Sequence, residues 1–294
     1  MLTIGIVPNL GKAQCDKVVR NLCALLQGKA EIVLTDEVFY LSQEKAEKNK
    51  NTLEDIARTY GARVLRVREF FDTADMVVVT GGDGSLLRAT SGAAMSGKPI
   101  LGINLGRVGY LASAEKGSLE KVAEQLLAGN YTINEHLMLT TQCDGKTLLA
   151  LNDVVISRSE MGKILEFSIY IDDEYVDTYT ADGVVIATPT GSTAYSLSAG
   201  GPVAYPYMEM LIITPICAHG LSSRPIVVPA DKKITVKLGN KYNYRALVSA
   251  DGYIIKKLTT NGTITVKKAD KKTKLIKTND YGFYELLRMK LKGN

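Results

Sequence analysis

The sequence is poor in the residues that build metal centres and disulfide frameworks. Its 294 residues include two histidines and four cysteines. The cysteines are scattered with no CxxC pair, at Cys15, Cys23, Cys143 and Cys217. Neither a zinc site nor a set of disulfides is therefore predicted. His136 and His219 are too few for a histidine-based triad or metal centre, and no GxSxG nucleophile motif accompanies them.

Long apolar runs and a strong charge of one sign are also missing. No uncharged run approaches the roughly 18 residues that a transmembrane helix needs, and the first residues lack the basic segment of a secretory leader. Lys and Arg exceed Asp and Glu by only 36 to 31, which suits an anionic small molecule better than a nucleic acid. We expect a cytoplasmic protein with no membrane partner and no nucleic-acid partner.

The first third of the chain alternates short β-branched runs with longer amphipathic stretches. Residues 75–80 are typical of a buried strand, residues 85–96 of a helix and residues 99–104 of another strand. This βαβ pattern predicts a parallel, doubly wound sheet, in which ligands bind beyond the carboxyl ends of the strands.

From residue 129 onwards, long helical patterns largely give way to β-rich segments. Such segments cover residues 148–157, 165–171, 184–188, 211–215, 233–238, 244–249 and 263–268. Many strands at about ten-residue spacing predict a β-sandwich. We therefore predict an α/β domain over residues 1–128, joined by a returning C-terminal segment at 278–294, and a β-sandwich domain over 129–277.

The stretch VVVTGGDGSLLRAT, residues 77–90, carries a glycine-rich turn after the predicted strand. It fits neither GxGxxG nor the P-loop, because position 87 is Leu and no GK[ST] follows. A strand, a glycine turn and a helix still direct backbone N–H groups at an anion. Asp83 is unfavourable beside a phosphate unless a metal bridges them or it engages an incoming hydroxyl, so a structural turn and a phosphoryl-transfer site both stay open.

Two further segments carry polar groups suited to a nucleotide. TPTGSTAYSLSAGGP, residues 188–202, crowds hydroxyls and one tyrosine around Gly191, which suits a ribose and a stacked base but also a turn-rich loop. Asn152 and Asp153 follow the apolar residues 148–151 and could hold a vicinal diol or form a plain hairpin turn.

Together these motifs resemble the NAD kinase family. The matching segments occur in the family's order over residues 75–230, as GGDG with SLLRA, GINLGRVGYLA, Asn152-Asp153, Asp182-Gly183 with TPTGSTAYSLSAGGP, and HGLSSRPIVVP. GGDG alone is weak, because lipid kinases and phosphofructokinases resemble it there. The long TPTGSTAYSLSAGGP block is highly specific.

The resemblance implies a reaction and an architecture. The γ-phosphoryl group of ATP, or of another donor, is transferred to the 2′-hydroxyl of the adenosine ribose of NAD to give NADP, with Mg²⁺ or another divalent cation. A Rossmann-like α/β domain precedes a β-sandwich, and the active site lies in the cleft between them. Homodimers or homotetramers are expected.

The resemblance also implies roles for individual residues. Asp83 is the catalytic aspartate, which accepts or orients the proton of the 2′-hydroxyl. The phosphate-binding residues are Gly81, Gly82, Gly84 and Arg88. The NAD-binding residues are Asn152 and Asp153 at ribose hydroxyls, Lys163 at a further contact, Asp182 at the nicotinamide end, and Thr193, Ala194, Tyr195 and Ser198 at the adenine pocket. No residue is assigned directly to the metal.

One departure from the family and two rival functions bear on this hypothesis. The family usually has Asn-Glu where this chain has Asn152-Asp153, so a shorter side chain predicts looser or water-mediated ribose contact. A lipid kinase of the diacylglycerol or sphingosine type shares GGDG, and the six lysines of residues 267–277 could meet an anionic membrane or simply keep an exposed edge soluble. A non-catalytic NAD-binding sensor would keep the pocket without the chemistry.

Overall fold

The computed structural model describes residues 1–36, 43–106, 109–111, 114–143, 145–160, 164–220, 223–240, 245–278 and 281–291. The chain forms two compact units, Met1–Glu135 with Thr273–Asn294, and His136–Lys272. The boundaries predicted from the sequence fall after residues 128 and 277.

The described residues contain the following elements. The strands are β1 Thr3–Pro8, β2 Glu31–Leu34, β3 Arg63–Val64, β4 Met76–Gly81, β5 Pro99–Asn104, β6 Ala114–Glu115, β7 Thr132–Cys143, β8 Lys146–Ala150, β9 Asp153–Arg158, β10 Leu165–Ile171, β11 Glu174–Ala181, β12 Gly183–Ala187, β13 Met210–Ile216, β14 Ile226–Pro229, β15 Ile234–Leu238, β16 Arg245–Ala250, β17 Tyr253–Thr259 and β18 Thr263–Lys277. The helices are α1 Cys15–Leu26, α2 Gln43–Tyr60, α3 Val67–Thr73, α4 Asp83–Met95, α5 Leu119–Ala128, α6 Tyr195–Ser198 and α7 Phe283–Leu291. Short 3₁₀ turns cover Lys116–Ser118 and Thr190–Thr193.

The first unit is a doubly wound α/β fold. Its parallel strands lie in the order β3-β2-β1-β4-β5, with a helix between each strand and the next along the chain. The order reverses between β1 and β4, and ligands of such sheets bind beyond the carboxyl ends of the strands at this point. The predicted Rossmann-like architecture is therefore confirmed, and it places the loop after β1 beside the glycine turn after β4.

Burial explains why these segments adopt their structures. Every residue of β4, MVVVTG, is buried, as expected for a central strand covered on both faces. Helix α1 buries Val18, Val19, Leu22, Cys23 and Leu26, which recur at helical spacing on the face that meets the core.

The second unit consists of two antiparallel sheets that share a core. One sheet has the order β14-β13-β12-β9-β16-β17, and the other strands include the antiparallel series β11-β10-β15-β18. Apolar side chains of both sheets form one buried cluster, which includes Ile156, Phe167, Ile186, Ile213, Val236 and Val248. Two sheets packed face to face make a β-sandwich, as predicted.

Local boundaries differ from the sequence-based expectations at two functional segments. The helix expected over residues 85–96 begins at Asp83, so the aspartate belongs to the first helical turn. The β-rich segment 148–157 is two strands, β8 and β9, separated by a turn at Leu151 and Asn152. Within the described part of the chain, no helix is both long and apolar enough to cross a membrane.

Candidate functional site

The glycine turn (residues 81–84) joins β4 to α4. Gly81 ends the strand, Gly82 is extended with φ −147°, and Asp83 begins the helix. The N–H groups of Ser85 and Leu86 donate to the Gly82 carbonyl at 2.8 and 3.0 Å, which closes the first helical turn. The earliest N–H groups of an α-helix have no intrahelical acceptor and carry a partial positive charge. The turn therefore has the electrostatics of an anion site.

The Asp83 carboxylate is held by the backbone of a neighbouring loop. Its Oδ2 accepts the N–H of Tyr110 at 2.8 Å, and its Oδ1 accepts the N–H of Leu111 at 3.3 Å. A Cβ on Gly109 would overlap this carboxylate, so only glycine permits the approach. Burial raises the pKa of Tyr110, and the negative charge of Asp83 raises it further. These contacts fix the direction of the carboxylate before any ligand binds.

Lys12 adds a cation to the glycine turn that sequence reasoning missed. Its Nζ lies 3.1 Å from the point that a Cβ on Gly82 would occupy. The same loop contributes Asn9, whose Nδ2 donates to Ser85 Oγ at 2.8 Å and whose backbone N–H donates to the Thr80 carbonyl at 3.1 Å. The sequence signal that could have identified Lys12 is its place shortly after the first strand, because β1 and β4 are neighbours where the strand order reverses.

Arg88 lies further along α4. It is half-buried and five residues beyond Asp83, which places it about 7.5 Å along the helix axis from that aspartate. The structure thus brings Gly81, Gly82 and Gly84 together with Lys12, while Arg88 stands one and a half turns away.

In the second unit, the predicted NAD-binding segment packs on the Asn152 turn (residues 151–153). The Asn152 carbonyl accepts the N–H of Thr188 at 2.9 Å, and the Leu151 carbonyl accepts the Thr188 hydroxyl at 2.6 Å. Thr188 Oγ1 in turn accepts the N–H of Gly191 at 3.0 Å. A Cβ on Gly191 would overlap the backbone of Asn152. The hydroxyl-rich loop is therefore packed directly against the Asn152 turn.

His136 supports the same loop. Its Nδ1 lies 2.9 Å from Thr190 Oγ1, and the imidazole is buried. Burial lowers the pKa of His136 to about 4, so the ring is neutral at physiological pH. This histidine belongs to no catalytic pattern in the sequence, and in the structure its contact with Thr190 orients the loop.

The proposed adenine-pocket residues follow in the next turn of chain. The N–H of Ala194 donates to the Gly191 carbonyl at 2.9 Å, which links this stretch to the Asn152 turn. Thr193 is half-buried, Tyr195 is 45% exposed and Ser198 is exposed. The exposed part of Tyr195 is accessible to solvent and to ligands, and an aromatic ring can stack on a planar partner.

Asp153 is buried at the start of β9, opposite Ala187. Its backbone N–H donates to Asp251 Oδ1 at 3.2 Å. Burial raises the pKa of Asp153 to about 7, and the nearby Asp251 charge contributes to the same shift. An acid held neutral up to this pH is typical of functional sites.

One predicted residue, Asp182, stands apart from this cluster. Asp182 lies before β12, five residues from the Ala187 that pairs with Asp153, which separates the two acids by about 16 Å along the strand. Its carboxylate forms an ion pair with Arg158 at 3.1 Å. Lys163 lies outside the described residues.

Comparison with known proteins identifies the family. A model of the ATP-NAD kinase N-terminal domain matches residues 4–131, and a model of the ATP-NAD kinase C-terminal domain matches residues 151–278. The chain belongs to the ATP-NAD kinase family. An NAD kinase of Acetivibrio thermocellus is 36% identical over 99% of this chain and 97% of its own length. An NAD kinase of Caldanaerobacter subterraneus is 35% identical, with 99% of each chain covered.

Solved structures of family members share the fold. A yeast NADH kinase complexed with NADH superposes with a TM-score of 0.82 at 22% identity, covering 98% of this chain and 86% of its own. An NAD kinase from Archaeoglobus fulgidus in complex with ATP gives a TM-score of 0.71 at 25% identity, with 99% of each chain covered. The two-domain architecture of the family is therefore present in this chain.

Proposed function

We propose that this chain is an NAD kinase that transfers the γ-phosphoryl group of ATP, or of another phosphoryl donor, to the 2′-hydroxyl of the adenosine ribose of NAD, forming NADP. The observation that carries the proposal is the match of both family models, over residues 4–131 and 151–278. The NAD kinase relatives, which align over nearly the whole chain, support the same activity.

The first unit supplies the groups that suit the phosphoryl donor. The N–H groups of Gly81, Gly82 and Gly84 bind the donor phosphates, and Lys12 neutralises part of their charge. Arg88 supplies a more distant positive charge. A loose phosphoryl-transfer transition state needs mainly alignment and charge stabilisation, which preorganised amides and cations provide.

Asp83 acts on the acceptor hydroxyl. Its carboxylate, held by the backbone of Tyr110 and Leu111, accepts a hydrogen bond from the 2′-hydroxyl and takes its proton as the bond to phosphorus forms. The ribose oxygen becomes the bridging oxygen of the new phosphate ester, and ADP leaves. Positioning contributes more than basicity, because the nucleophile in a loose transition state is activated late.

The second unit supplies the groups that suit NAD. Asn152 and Asp153 hold ribose hydroxyls, and Thr193, Ala194, Tyr195 and Ser198 line the adenine pocket. Asp182 meets the nicotinamide end, for which its separation from the Asn152 turn along β12 is favourable. Lys163 provides a further contact in this proposal.

The proposed reaction uses Mg²⁺ or another divalent cation. Among the described residues, no group of three or more His, Cys, Asp or Glu side chains is placed to hold a metal ion. This fits Mg²⁺, which usually binds through substrate phosphates with one or two carboxylates and retains water. At the glycine turn, Asp83 would supply a carboxylate oxygen as a metal ligand, and the cation would neutralise phosphate charge there.

A donor panel tests the proposed function. The purified chain is incubated with NAD, Mg²⁺ and ATP, another nucleoside triphosphate or polyphosphate, and NADP is measured directly; parallel arms replace NAD with NADH or with diacylglycerol or sphingosine. We expect NADP from at least one donor. Lipid phosphorylation without NADP, or NAD binding without turnover on every donor, would contradict it. The predicted homodimer or homotetramer is measured separately by light scattering.

A further inference from the structure

Asp251 lies in a tight turn that touches the Asn152 turn. The turn joins β16 to β17 through Asp251 at φ 48° and Gly252 at φ 83°, the geometry of a two-residue hairpin loop with both central residues left-handed. Because β16 pairs with β9, with Ala250 opposite Val154, the hairpin loop reaches the start of β9. Asp251 therefore stands beside residues 151–153.

The Asp251 carboxylate accepts three consecutive backbone N–H groups. Its Oδ2 accepts the N–H of Leu151 at 2.7 Å, and its Oδ1 accepts those of Asn152 at 2.8 Å and Asp153 at 3.2 Å. The backbone N–H of Asp251 donates in return to the Asp153 carbonyl at 3.0 Å. Hydrogen bonds to an ionised acceptor are about twice as strong as neutral ones, so this single side chain fixes the whole turn.

Thr188 completes the restraint from the opposite side. It binds the carbonyls of Leu151 and Asn152, whose N–H groups face Asp251. The backbone of Asn152 is thus held through both its donor and its acceptor. Because the backbone is fixed in this way, the points at which the Asn152 and Asp153 side chains are attached are also fixed.

Charge indicates that this arrangement serves more than stability. Asp251 brings a second carboxyl group close to Asp153, and burial raises the pKa of both acids, to about 6 for Asp251 and about 7 for Asp153. A neutral acceptor could bind an N–H group of the turn without repelling Asp153. Ionisable groups whose pKa values are strongly perturbed by burial and by a neighbouring charge are characteristic of functional sites.

We infer that Asp251 is a positioning residue for NAD, which acts by holding the backbone of Asn152 and Asp153 in the geometry that binds the ribose. This inference rests on the proposed function. Asp251 contacts the turn and not the reacting atoms, so its loss acts on the binding of NAD more than on phosphoryl transfer.

Asp251→Asn tests the inference, with Asp172→Asn as the matched control. Asparagine tolerates the left-handed conformation, so the substitution keeps the hairpin but replaces one carboxylate oxygen by an amide donor. Asp172 occupies the equivalent position of the β10–β11 hairpin at φ 49°, where its carboxylate accepts the N–H of Lys233 at 2.9 Å. It therefore controls for the loss of a carboxylate-to-backbone bond in a hairpin of the same unit.

The expected result is a change in KM for NAD alone. In Asp251→Asn, KM for NAD rises about tenfold or more, while KM for ATP and kcat at saturating NAD stay within about threefold of wild type. Asp172→Asn leaves all three within about twofold. If Asp251→Asn does not accumulate as folded protein, Asp251→Glu, which keeps the charge but moves it by one methylene, gives the same comparison.

The outcomes separate the inference from the proposed function. If wild type forms NADP and the Asp251 variants lose only kcat or thermal stability, with KM for NAD unchanged, Asp251 is structural and the inference is overturned while the proposed function stands. If wild type forms no NADP from any donor, the proposed function fails and the inference fails with it.

Discussion

At both the glycine turn and the Asn152 turn, a carboxylate accepts backbone N–H groups, but the roles of side chain and backbone are exchanged. At the glycine turn, the backbone of Tyr110 and Leu111 holds the Asp83 side chain. At the Asn152 turn, the Asp251 side chain holds the backbone. A held side chain is positioned to react, whereas a held backbone presents neighbouring side chains for binding. The contrast predicts that damage at the first turn lowers kcat and that damage at the second raises KM.

The largest effect is expected from Asp83→Asn. The amide cannot take the proton of the 2′-hydroxyl, and its NH₂ group replaces one of the oxygens that accept N–H groups. We expect kcat to fall by roughly 10²-fold or more while NAD binding remains measurable by calorimetry. Near-normal turnover would remove Asp83 from the mechanism.

Gly109→Ala tests whether the held geometry of Asp83 matters apart from its chemistry. The added Cβ would overlap the Asp83 carboxylate, so the carboxylate or the loop must move. A displacement near 1 Å can reduce turnover by about 10²-fold, and we expect a kcat loss of about 10- to 100-fold with little change in KM for NAD. Gly106→Ala is the matched control, since a Cβ there meets no atom of the described residues within 4 Å. Equal kcat in the two variants would show that the orientation of Asp83 is unimportant.

Local patterns in the sequence predicted the elements but not the contacts that complete the two turns. The fully buried β4 and its glycine turn are recognisable because burial and turn formation depend on adjacent residues. Lys12 meets Gly82 only because β1 and β4 are neighbours in the sheet. Asp251 meets Asn152 across 99 residues of chain. Such contacts depend on strand order and register, which a single sequence does not specify.

The resemblance supplied what local patterns could not. Asn152 and Asp153 alone were compatible with an ordinary hairpin turn, but β8 pairs with β7 and β9 pairs with β12 and β16, so the turn before Asp153 joins strands of different sheets. Their association with the TPTGST loop through Thr188 and Gly191 depends on tertiary packing. The separation of Asp182 from Asp153 likewise follows from the register of β9 and β12.

A smaller effect on the donor side is expected from Lys12→Gln. Glutamine keeps a polar side chain of similar length but removes the positive charge beside Gly82. We expect KM for ATP to rise about 5- to 10-fold with KM for NAD unchanged, because one exposed charge-assisted contact to a phosphate is lost. Lys17→Gln, on the exposed face of α1, controls for a general change of charge. A shift in KM for NAD instead would place Lys12 on the acceptor side.

The smallest expected effect is on stability. At the Asn152 turn, the buried Asp153 lowers the stability of the folded protein at neutral pH. Burial raises the pKa of Asp153 to about 7, so the folded protein keeps a proton that the unfolded chain releases near its ordinary value of 3.8. The folded state therefore loses stability as the pH rises from about 4 to about 7, because it binds more protons than the unfolded state throughout that window.

Asp153→Asn removes this penalty. At pH 8 we expect the variant to be more stable than wild type by about 1–3 kcal/mol in urea unfolding, with a smaller difference at pH 5. The pKa of Asp251 is also raised, and Asp251 is present in both wild type and the variant. The difference between their curves of stability against pH therefore reports mainly on Asp153. A variant that is more stable at pH 8 yet binds NAD more weakly would show that the buried acid serves binding at the expense of folding. A variant less stable than wild type at pH 8 would show instead that the Asp153 carboxylate stabilises the turn.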